Sequence, residues 1–110
     1  MTVGLVIMSG SSFEDQLNKP GVLVIDARQP EEVALSHDFI GARNVPVKNI
    51  ANKLEEFGIE KSRPIVLYYG SGTKTHHAER VLRDAGFTDV AATSNQKALE
   101  VHTQKWRVLS

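Results

Sequence analysis

The densest chemistry in this chain lies in Tyr69-Gly70-Ser71-Gly72-Thr73-Lys74-Thr75, directly after the apolar run Ile65–Tyr68. An apolar run, two spaced glycines and a helix-forming stretch predict a strand, a tight loop and a helix. Glycines at 70 and 72 predict left-handed backbone angles, which turn successive N–H groups inward as an anion nest. A helix beginning near Thr75 adds its positive end, and Lys74 adds a full charge. The natural guest is a small oxyanion such as sulfate, phosphate or thiosulfate. Tyr69 stands at the head of the loop. A phenol serves as nucleophile or acid–base group only if its pKa is lowered. At its ordinary pKa of ~10, about a thousandth is ionised at neutral pH. The competing reading is a ring that plugs the space at the strand end, and no partner base is evident beside it. Tyr68 alternates to the other sheet face, which predicts a core position.

The chain contains no cysteine, so a thiolate nucleophile, a disulfide and a thiolate metal site are all excluded. A nucleotide phosphate loop is not expected either. The Walker pattern needs glycine directly before the lysine and a longer loop, and here Thr73 precedes Lys74. His76 and His77 are adjacent, so on a helix they point apart and cannot share a metal. His37 and His102 are isolated. No metal and no cofactor is expected. Asp26 and Arg28 read as a structural ion pair bracing the loop, with catalysis as the alternative. Glu31 and Glu32 read as charge that favours a helix N-terminus.

Thirteen bases balance thirteen acids, so net charge supports neither a nucleic-acid nor a membrane role. Residues 61–83 hold Lys61, Arg63, Lys74, Arg80 and Arg83 against Glu79, while residues 13–60 are acidic on balance. That excess predicts a field favourable to an anion at the loop. No apolar run approaches the ~20 residues of a membrane span. Thr2–Met8 lacks a preceding base and reads as a strand rather than a signal peptide. The expected location is the cytoplasm, although a periplasmic protein stripped of its signal peptide would read the same way.

The positioning elements follow from pattern. Val3–Met8, Val22–Ile25 and Ile65–Tyr69 are continuous apolar runs, as in strands covered on both faces, and Asp89–Thr93 is a weaker fourth. Ser11 with Glu14 suggests a capping box, and Pro20-Gly21 ends that segment. Pro30-Glu31-Glu32 suits a helix first turn. Ile50, Leu54 and Phe57 share a face, closed by Gly58. Ala78, Val81, Leu82 and Ala85 share another, closed by Gly86. Asn95 predicts the cap of a last helix reaching about Lys105, with Trp106 packing back. Phe39, Ile40 and Val47 form a candidate interface. The alternation predicts one α/β domain over residues 1–110 with a mostly parallel sheet.

These residues in this order resemble the rhodanese family of sulfurtransferases in its small single-domain form, over roughly residues 8–99. Asp26-Ala27-Arg28 is similar to the family's Asp-x-Arg at a strand end. Gly41-Ala42-Arg43-Asn44-Val45-Pro46 is similar to its Gly-Ala-x-Asn-Ile-Pro turn, and Ala85–Val90 to its Gly-aromatic-x-x-Val step. The resemblance implies a central sheet of about four to five mostly parallel strands with helices on both faces. It also places Tyr69 at the catalytic cysteine, Gly72 at the loop glycine, Lys74 at the basic position and Thr75 at the hydroxyl position. Two further departures stand at His37-Asp38, for the family's Gly-His, and at Ser94-Asn95, for its Gly-Gly. The expectation is a domain lacking the nucleophile and non-catalytic, binding a small oxyanion or a protein partner at residues 69–75. The alternatives are altered chemistry through Tyr69 or a partner's thiol, and a purely structural or oligomerising domain.

Overall fold

Continuous apolar runs form the sheet because it is covered on both faces. The computed structural model describes residues 14–35, 41–70, 72–97 and 99, with residues 72–75 as backbone alone. Strand β1 (Leu23–Asp26) leads to helix α1 (Pro30–Leu35) and strand β2 (Arg43–Asn44). A 3-10 turn (Val47–Asn49) enters α2 (Ile50–Glu56), followed by β3 (Ile65–Tyr68), α3 (Gly72–Asp84) and β4 (Val90–Thr93). Residues 14–17 are helical ahead of β1, and residues 96, 97 and 99 are helical directly after Asn95. The expected strand at residues 3–8, the cap at Ser11, His37, Asp38, Phe39, Ile40, His102 and Trp106 lie outside the described residues.

The four strands are parallel in the order β2-β1-β3-β4. Every residue of β1 and β3 is buried, which removes the polar alternation of a one-sided sheet. Side chains alternate between the two faces. Leu23, Ile25, Ile65, Leu67 and Tyr69 join Ile50 and Leu54 of α2, Ala78 and Leu82 of α3, and Phe87. Val24, Val66 and Tyr68 join Leu17 and Leu99 on the opposite face. Gly86 (φ 101°) ends α3 in the left-handed region that glycine alone enters cheaply. The Lys61 stem runs beside it, and its ammonium lies 4.3 Å from the Phe87 ring centroid.

Two expectations need correction. The helical pattern puts Phe57 on the buried face of Ile50 and Leu54, yet Phe57 is 50% exposed. Helix α2 ends at Glu56 with Phe57 as its C-cap, and Gly58 (φ 74°) turns the chain directly after it. Val47, expected at an exposed interface, is partly buried and packs on the main core.

Gln16 ties the first helical segment to the sheet. Its side-chain amide donates to the Ile65 carbonyl (3.2 Å), the Asp89 carbonyl (3.2 Å) and Asp89 Oδ1 (3.0 Å), while Lys19 pairs with the same carboxylate at 3.0 Å. Burial pushes the Asp89 carboxyl pKa up. Hydrogen bonds from Gln16 and Lys19, with the charges of Lys19 and Arg83, outweigh it and hold the pKa below the ordinary value. The unfolded chain therefore binds the proton first as pH falls. The contact stabilises the fold above the ordinary carboxylate pKa, and that contribution fades as pH drops from about 4 through the lower folded value. Urea titrations across this range are expected to show a shallower acid-side loss for Asp89→Asn than for the wild type. An identical slope in both would remove Asp89 as a contributor.

Candidate functional site

Because the strands are parallel, their C-terminal ends share one edge. The chain leaves β1 toward β2 and leaves β3 toward the opposite edge, at β4. Open α/β sheets bind ligands where the connections part in this way. Three segments converge there, namely residues 26–29, Asn44 and the start of the glycine loop.

The sequence pair Asp26 and Arg28 is brought together as a buried fork. Arg28 Nη2 donates to Asp26 Oδ2 at 2.7 Å, Nε to Oδ1 at 3.0 Å, and the Arg28 backbone N–H to Oδ1 at 3.1 Å. The guanidinium lies 5.3 Å from the Tyr68 ring centroid. Its hydrogen bond to Asp26 raises the Arg28 pKa; burial opposes this, and the charges of Asp26 and Glu32 add to the rise. Asn44 Nδ2 closes the turn, donating to the carbonyls of Asp26 (2.9 Å) and Arg28 (2.8 Å). The Ala27 N–H donates to the Tyr68 carbonyl at 2.8 Å, which sets the end of β1 against the head of the loop.

Tyr69 is 4% exposed and belongs to the main core. Its N–H donates to the Thr93 carbonyl at 3.3 Å, extending the pairing of β3 with β4 by one residue. Its hydroxyl lies 3.4 Å from Glu32 Oε1. That oxygen also accepts the Gln29 N–H at 2.9 Å, the reciprocal half of a capping box at the start of α1.

The loop departs from its expected form. Gly70 does not adopt a positive φ, and α3 begins at Gly72 rather than near Thr75, so the nest of left-handed glycines is not the geometry seen. Backbone amides at the start of α3 replace it as the source of positive potential. Ser71 and the side chains of Thr73, Lys74 and Thr75 lie outside what is described. The basic excess of residues 61–83 is also dispersed. Lys61 pairs with Glu55 (2.6 Å) and the Ala85 carbonyl, Arg63 donates to the Gly21 carbonyl (2.8 Å), and Arg83 pairs with Glu79 (2.9 Å).

His76 and His77 are exposed on α3. They line an open groove of about 590 Å³ with Glu79, Arg80, Arg83 and Asp84, whose mixed charges favour no single ligand. Among the described residues no group of three potential ligands could hold a metal. No described helix is long and apolar enough to cross a membrane.

A sequence model of the Rhodanese-like domain matches residues 9–95. The chain belongs to the rhodanese-like domain family. This rhodanese-like domain is 24% identical to a structure of the Alr3790 protein from Anabaena sp., covering 83% of this chain and 72% of that one with a TM-score of 0.68. A structure of the Rhodanese-like domain of the same protein is also 24% identical, with 92% and 93% coverage and a TM-score of 0.64. A variant of EanB, complexed with ergothioneine covalently linked with a persulfide cysteine, is 19% identical with a TM-score of 0.60. That likeness covers 74% of this chain and 22% of EanB. The comparison with curated proteins gave no match. The likeness extends through the parallel sheet and its helices, while this member of the family carries no cysteine.

Sequence reasoning missed two residues at this edge. Asn44 was visible only as part of a turn motif, and an asparagine closing a strand was the signal that it tethers backbone. Glu32 was visible as helix-start charge, but its approach to Tyr69 depends on how α1 docks. Truncating Asp26 to alanine removes the carboxylate that Arg28 grips in this buried fork. The expected loss is about 3–5 kcal/mol in urea or guanidinium unfolding. A loss under about 1 kcal/mol would show that the pair does not brace this edge.

Proposed function

We propose that this chain is a rhodanese-like domain without sulfur transfer of its own, whose 69–75 loop binds a small oxyanion such as sulfate, phosphate or thiosulfate. The observation that carries this reading is Tyr69 itself. The position that the family resemblance gives to the nucleophile holds a buried phenol, in a chain with no thiol. Sulfur transfer needs a soft, ionisable atom to hold a sulfane sulfur as a persulfide. A thiolate does this, and a hard phenolate oxygen is a poor acceptor. Anion binding is supported by the start of α3 and by Lys74 in the sequence, at the edge where the connections part.

Thiosulfate:cyanide assays are expected to show no thiocyanate formation by the wild type above the uncatalysed rate. Tyr69→Cys, run beside it, supplies the missing thiol at the same place. Turnover by the variant alone would show an anion pocket that survives around a lost nucleophile. Turnover by the wild type that disappears in Tyr69→Phe would overturn the reading. Millimolar sulfate is expected to raise the melting temperature of the wild type, and Lys74→Ala to diminish that rise. No response in either protein would remove the oxyanion part.

A further inference from the structure

We draw no further inference here: the strongest candidate, the open groove between the Pro20-Gly21 turn and residues 58–64 beside the N-terminal ends of β1 and β3, sets opposite charges at Glu60 and Arg63, and nothing in the structure shows what covers it.

Discussion

The buried fork between Asp26 and Arg28 is the constraint on which the rest of this edge depends. Two charges with side chains 4% and 9% exposed pair with each other, where burial has removed most of their contact with solvent. Their geometry sets the turn after β1, and Asn44 fastens β2 to that turn. Arg28 then covers one face of Tyr68, and the backbone bond from Ala27 to the Tyr68 carbonyl fixes where β3 ends. Such a pair adds little net stability over an apolar replacement, and much more is lost when one partner is removed. Its value here is positional, since it defines the directions in which α1 and the glycine loop leave the sheet.

Tyr69 is held by that position on three sides. Its backbone extends β3 against β4, its ring fills the main core, and its hydroxyl meets the first turn of α1. A residue this enclosed acts as a wall of the site. The rhodanese-like scaffold thus retains the strand, loop and helix of this edge, while the chain carries no cysteine.

Much of the fold was legible because the sheet is buried on both faces. Val22–Ile25 and Ile65–Tyr69 each read as a short strand without alternation, and each is one to within a residue. The split of Tyr68 and Tyr69 between the two cores follows from the twofold period of a strand. Asp26 and Arg28 were legible as a pair because two residues at a strand end can close a local fork. What stayed hidden depends on docking. Glu32 reaches Tyr69 only through the placement of α1 over the sheet edge. The basic excess looked like a field because its members are near in sequence, but β3 separates Lys61 and Arg63 from the loop by about 13 Å of strand. Phe57 was misplaced because the helical period says nothing about where α2 stops.

The most direct test of the central claim is the intact mass of the folded protein after incubation with excess thiosulfate and removal of small molecules. The account predicts an unchanged mass for the wild type, since no atom of the chain accepts a sulfane sulfur. A gain of one sulfur atom that is discharged by cyanide and mapped to Tyr69 would contradict it.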